Sequence, residues 1–289
     1  MTKPSLSKVE VLILVDDYAG FTELIGEHGF SALITIHYDN GENYRLLFDT
    51  GRTGRGLLEN IKLLNVDLSN INVIVLSHRH HDHTGGLPSL VNLLKGKPIV
   101  AHTDIIKPCY VESKGFLKFN AGLSPDTKKA IHEFELVLSR KPLELAPNVW
   151  FLGEIERYYD NSYAVKQFKT IQNGELIDDP MLDDTGLAVR LGDKALVIAG
   201  CSHSGISNIA RSARKTTGVD DVIILGGLHL ASANPEDAER VVKELLLNEG
   251  LIEAHVGHCT GLLGESKLVE KLKENMHKIH SGYKVVFEL

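Results

Sequence analysis

Cysteine is scarce in this chain: three residues in 289, at Cys109, Cys201 and Cys259. Three scattered thiols cannot make the disulfide framework of a small secreted domain. They suit a reducing cytoplasm, where a thiol stays free or binds metal. Positive charge is also short. With 31 Lys and Arg against 38 Asp and Glu, the formal net charge is −7, so no general basic field draws nucleic acid or anionic lipid. Long apolar runs are missing too. Residues 9–15 are interrupted by Glu10 and followed by Asp16-Asp17, too short and too charged for a signal segment or a membrane span, and are expected to form the first strand. No short repeat or low-complexity tract stands out. What is present is an ordinary globular composition, 43% hydrophobic and 24% charged, for which a small anionic molecule is the expected partner rather than nucleic acid or membrane.

Alternating and apolar runs predict strands over 31–38 and 44–48, an antiparallel opening that turns at Asp49-Thr50-Gly51. A helix over 56–64, a buried strand over 73–76, a helix over 88–94 and a strand over 98–101 follow. Later come a hairpin-like pair at 186–191 and 195–199, a helix at 206–215, a strand at 222–225, an amphipathic helix at 235–248, a strand at 254–256 and a last strand at 283–287. Strands first and mixed units after, twice over, is the order of an α/β protein in which two sheets pack together with helices outside. One domain over 1–289 is expected, with 103–183 as an insertion that covers the site.

Histidine is the notable abundance, 14 residues in all. The run His78-Arg79-His80-His81-Asp82-His83 follows the buried strand directly, where a rigid sheet fixes side chains and leaves them open to a substrate. His78 and His80, two apart in an extended segment, point the same way and grip one ion; Asp82 and His83 reach a second. Gly85-Gly86 then turn the chain into the next helix.

His78-x-His80-x-Asp82-His83 with Gly85-Gly86 resembles the signature of the metallo-β-lactamase superfamily, which implies a four-layer αβ/βα sandwich and two divalent metal ions, zinc first, with manganese or iron as alternatives. Under that resemblance, Asp49 supports the ligands from beneath and His258, in Gly257-His258-Cys259-Thr260-Gly261, is the final histidine ligand. Cys201 stands where the superfamily carries a metal-bridging aspartate, with His203 offering a nitrogen donor at the same mouth. The histidine usually found before that strand is missing, so either His203 or Asp184 takes its role. His229, in Gly226-Gly227-Leu228-His229, resembles a proton donor that does not ligate metal.

Gly26-Glu27-His28-Gly29, Gly153-Glu154-Ile155-Glu156-Arg157 and Gly200-Cys201-Ser202-His203 narrow the likeness to a dihydropteroate-synthase-like branch of that superfamily. Glu27 and Arg157 are then expected at the substrate, Arg157 as a bidentate phosphate clamp. Two activities use one such site. Hydrolysis of a small phosphate- or diphosphate-bearing substrate, with Asp82 as ligand and proton acceptor and His229 as donor, is the broader expectation. Transfer of a dihydropterin diphosphate to an aryl ribose phosphate is the alternative the branch implies. An iron-binding redox or sensing protein is a third reading, disfavoured because no flavodoxin-like segment follows Gly261.

Overall fold

Along Leu6–Val15, Val9, Val11 and Ile13 are buried on one face, while the other face is open at first and buried at Leu14 and Val15. That switch marks where helices cover the outer face of the sheet. The computed structural model describes residues 3–289. In the first seven-stranded sheet the order is Lys284–Glu288, Leu6–Val15, Ser31–Tyr38, Asn43–Phe48, Val73–Val75, Pro98–Ala101 and Glu135–Leu138. The second runs Met276–Lys278, Leu251–Val256, Asp221–Gly226, Lys194–Ala199, Gly186–Leu191, Val149–Phe151 and Leu143–Ala146.

Three cores separate four layers. Val9, Ile34, Phe48 and Val75 meet Phe151, Leu187, Ile198 and Leu225 between the sheets. Leu14, Leu47 and Ile74 pack under Leu57, Leu87 and Leu90 of the helices Arg55–Leu63 and Leu87–Leu94. Val197, Ile224 and Val256 pack under Ile206, Val241 and Leu268 of the helices Ile206–Thr217, Pro235–Leu247 and Gly261–Leu272. The two periods in the sequence, 2 for strands and 3.6 for helices, thus sort apolar side chains into three slabs. The expected four-layer α/β sandwich is the fold observed.

Each sheet turns parallel partway across. Asn43–Phe48, Val73–Val75 and Pro98–Ala101 are parallel neighbours, as are Lys194–Ala199, Asp221–Gly226 and Leu251–Val256. Parallel strands deliver their C-terminal loops to one edge, where ligands bind in open α/β sheets.

The segment 103–183 differs from the single insertion expected. Glu135–Leu138 completes the first sheet, and Leu143–Ala146 with Val149–Phe151 extends the second. Only Tyr110–Ser113, Phe116–Asn120, Phe168–Gln172 and Glu175–Asp178 form a separate four-stranded sheet. Glu135–Leu138 and Leu143–Ala146 are sheet-edge strands with half-buried faces, so their periodicity is weak. The helix Gly261–Leu272 also went unforeseen, because glycines at 261 and 264 interrupt its pattern. Among the described residues, no helix is long and apolar enough to cross a membrane.

Candidate metal centre

Where Val73–Val75 ends, Ser77 donates its backbone N–H to Asp49 Oδ1 at 2.7 Å and its hydroxyl to Asp49 Oδ2 at 2.6 Å. This clamps the loop that follows to the neighbouring strand. The four-residue helix His81–Thr84 then turns back, and Gly85 and Gly86 pass so close to the carbonyls of Arg52 and Thr50 that any Cβ would collide. The backbone of the histidine run is therefore held on both sides.

Each imidazole has one nitrogen occupied and the other aimed inward. His78 Nδ1 lies 2.9 Å from the Ser77 hydroxyl, and its buried Nε2 has no partner among the described residues. His203 Nδ1 meets the Ala164 carbonyl at 2.9 Å, and its Nε2 is likewise unpartnered. His80 Nε2 lies 3.3 Å from Cys109 Sγ, which leaves Nδ1. Donor atoms of His78, His80 and His203 all fall within 4.8 Å of one another.

A second group stands beside the first. His83 Nδ1 is 2.7 Å from Asp49 Oδ2, and His258 Nδ1 is 2.6 Å from Asp17 Oδ1. Their Nε2 atoms face each other at 3.1 Å, and each is 3.1 Å from Cys201 Sγ. Asp82 Oδ2 lies 3.5 Å from His83 Nε2 and 3.6 Å from His258 Nε2. A shared proton satisfies only one pair in such a cluster of lone pairs. A divalent cation satisfies all four donors at once, so the residues fit a metal, and they fit two.

Charge follows burial. Desolvation pushes His78, His80 and His203 well below the usual imidazole range, leaving them neutral, as ligands must be. Burial pulls His83 the same way, but the carboxylates of Asp82 and Asp49 outweigh it and raise it. Burial works to raise Asp82, yet the neighbouring His83, His258 and His80 hold it well below the carboxylate range. Asp16 is pushed up to about 6 by desolvation.

The expected ligands His78, His80, Asp82, His83, His203 and His258 thus meet in one place, with Cys201 among them and Asp49 behind them. His203, not Asp184, joins the first pair. Asp184 instead accepts the Ser204 backbone N–H at 2.8 Å and hydroxyl at 2.6 Å. His229 stands beside the cluster, its ring 4.2 Å from that of His203 and its Nδ1 unpartnered among the described residues. Asp49, Ser202, His229 and His258 all have φ between 45° and 64°, the left-handed region that non-glycine residues avoid, so four strand ends here carry backbone strain.

Two expectations are corrected. Glu27 does not face the cavity: its carboxylate takes the N–H groups of Arg52 and Thr53 and the Thr53 hydroxyl, capping the turn before Arg55–Leu63. The neighbouring His28 lines the cavity, its Nδ1 2.8 Å from Asp17. Arg157 points away as well, donating to the carbonyls of Ile155 and Met181, which fixes the chain rather than a phosphate.

Asp17 and Cys109 escaped the sequence reading. Asp17 sits 241 positions from His258, and only its place at the end of an apolar strand hints at it. The donor wall borders a cavity of about 390 Å³ whose lining also includes Val111, Phe119 and Phe168 from the small sheet and Gln167 just before it. Phe168 lies 4.6 Å from the His80 ring.

Residues 25–211 match the family model described as the metallo-beta-lactamase superfamily. The 7,8-dihydropterin-6-methyl-4-(beta-D-ribofuranosyl)-aminobenzene-5'-phosphate synthase of Methanocaldococcus jannaschii is 34% identical, over 98% of this chain and 98% of its own. Among solved structures, a metal-dependent hydrolase of the beta-lactamase superfamily superposes with a TM-score of 0.81 at 25% identity, covering 97% of this chain and 100% of that one. A diphosphatase of the PhnP family shares the fold alone, with a TM-score of 0.50, 15% identity and 99% of each chain covered.

Proposed function

This chain belongs to the metallo-β-lactamase superfamily and is an enzyme, and we propose that it uses two divalent metal ions to release diphosphate from a planar heteroaromatic substrate and pass the freed carbon to an arylamine. The observation that carries this reading is the two donor sets side by side at a cavity that Phe119 and Phe168 also line. The relative named as a pterin-type synthase supports transfer. The 25% identical relative named as a metal-dependent hydrolase supports hydrolysis as the second reading.

His78 Nε2, His80 Nδ1 and His203 Nε2 would hold one ion; Asp82, His83 Nε2, His258 Nε2 and Cys201 would hold the other. Imidazoles with a thiolate and a carboxylate favour zinc. When bound, the ions supply Lewis-acid charge that stabilises negative charge on phosphate oxygens. Phe119 and Phe168 give a flat ring an apolar surface, and the small sheet walls that side of the cavity. In transfer, the amine nitrogen bonds to the substrate carbon, the carbon–oxygen bond to diphosphate breaks, and His229 takes the proton the amine loses. In hydrolysis, water bonds to the substrate carbon in place of the amine and loses a proton to Asp82, the same carbon–oxygen bond breaks, and the His229 imidazole gives a proton to the departing oxygen.

The test is an assay with a dihydropterin diphosphate, with and without an aryl ribose phosphate amine, on protein of known metal content. Coupled product that forms only with the acceptor supports transfer. Diphosphate released at the same rate without acceptor makes the enzyme a hydrolase, and no turnover of either kind with two ions per chain rejects the proposal.

Asp17 gives a sharper check on the ligand set. A carboxylate behind a ligating histidine fixes its tautomer and raises its basicity, and losing it typically costs about 10–100-fold in metal affinity or activity. Asp17→Asn should weaken the second ion by about that factor in a competition titration against a chromophoric chelator. Unaltered affinity would show that the Asp17–His258 contact does not orient a ligand.

A further inference from the structure

Beside the four donors of the second ion lies a third cluster, Cys201, His229 and Cys259, whose ligand atoms are within 4.8 Å of one another. The proposed metal sites use Cys201 and leave Cys259 unassigned. Cys259 Sγ donates to the Cys201 carbonyl at 3.5 Å and accepts the His229 backbone N–H at 3.3 Å. The two thiols follow Lys194–Ala199 and Leu251–Val256, which are separated by the strand Asp221–Gly226 and so are roughly 9.6 Å apart. They meet because Gly227, just past the middle strand, has no side chain: a Cβ there would lie 2.7 Å from Cys259 Sγ. Both line the cavity, Cys259 the more open of the two.

We propose that Cys201 and Cys259 are a reversible oxidation site for hydrogen peroxide, closing a disulfide that withdraws the sulfur donor from the Asp82–His83–His258 site. Cys259, as thiolate, attacks one peroxide oxygen; a sulfur–oxygen bond forms, the oxygen–oxygen bond breaks and hydroxide leaves. Cys201, as thiolate, then attacks that sulfur, the sulfur–sulfur bond forms and hydroxide leaves again. Each hydroxide takes up a thiol proton to give water, and the two thiols have supplied two electrons. The thiols, within 4.8 Å of each other, follow strands roughly 9.6 Å apart, so closing to the ~2.05 Å of a disulfide takes an approach of the two loops as well as side-chain rotation. Cys201 Sγ, now 3.1 Å from both His83 and His258, is thereby spent in a covalent bond. Cys109 lies away from this pair, 3.3 Å from His80 and 4.0 Å from the Met181 sulfur, and serves as the internal control.

The pairing stands on geometry, while the metal release rests on the proposed ligand set. Reduced, metal-loaded protein is treated with hydrogen peroxide, and two quantities are read: cross-linked peptides by mass, and metal released to a chromophoric chelator. A Cys201–Cys259 peptide pair lighter by two hydrogens, release of one ion per chain and reversal of both by a dithiol are expected. Cys259→Ser should give no cross-link and keep its metal at peroxide doses that strip the wild type. Overoxidation of single thiols without a cross-link overturns the proposal. A cross-link formed with both ions retained overturns its metal half and removes Cys201 from the ligands. Reduced protein that holds no metal would sink the proposed function, while the cross-link stays readable.

Discussion

Asp82→Ala should lower turnover by more than a hundredfold while leaving the fold intact. Partners behind a ligand cost about 10–100-fold when removed, so deleting a donor that faces two ligating imidazoles should exceed that range. The fold should survive because Asp82 belongs to none of the three apolar cores, and what its residue gives the backbone, a carbonyl accepting from Phe30 N–H at 3.3 Å, remains in the variant. Circular dichroism and a thermal melt at matched metal content check the fold, and steady-state kinetics check the rate. Near-normal turnover with two ions bound would remove Asp82 from the chemistry.

His229→Ala is expected to cost roughly 10²–10⁴-fold in turnover, the usual contribution of a positioned proton donor or acceptor, with metal content unchanged. The imidazole lies against His203 with one nitrogen unpartnered among the described residues, which is the position of a group that meets substrate rather than metal. Because φ at this position is 53°, His229→Asn serves as a backbone control, asparagine tolerating the left-handed region well. If both variants lose an ion, His229 is a ligand with Cys201 and Cys259. If both keep full rate and both ions, its role is structural, holding Leu228 and Leu230 in the core.

Why most of the fold and half of the site could be read in advance follows from where the information lies. Ser31–Tyr38 alternates toward its end, Gly186–Leu191 is a nearly unbroken buried run, and the His78 run packs several donors into six positions, so the signal is local. Asp17, His28 and Cys109 reach the metal wall only through tertiary contacts of loop residues, Asp17 with His258, His28 with Asp17 and Cys109 with His80, for which no short window carries a pattern. Asp17 still obeyed the rule that found His78 and His258, a polar residue at the end of a buried strand. Glu27 failed for a related reason: motif resemblance placed its neighbourhood correctly, but only the backbone direction decides that His28 faces the cavity and Glu27 the turn.

His78, His80, Asp82 and His83 stand on the first sheet's side, and Cys201, His203 and His258 on the second's, so each proposed ion takes donors from both halves of the sandwich. No stretch of unfolded chain assembles that set, since donors 78 and 258 meet only after the sheets have closed on each other. Metal uptake therefore comes after folding and acts on its equilibrium by linkage: each ion at a hundred times its dissociation constant adds about 2.7 kcal/mol to the resistance of the whole chain to unfolding. Two such ions would bolt the halves of the sandwich together at the edge where Asp49, Ser202, His229 and His258 hold left-handed backbone.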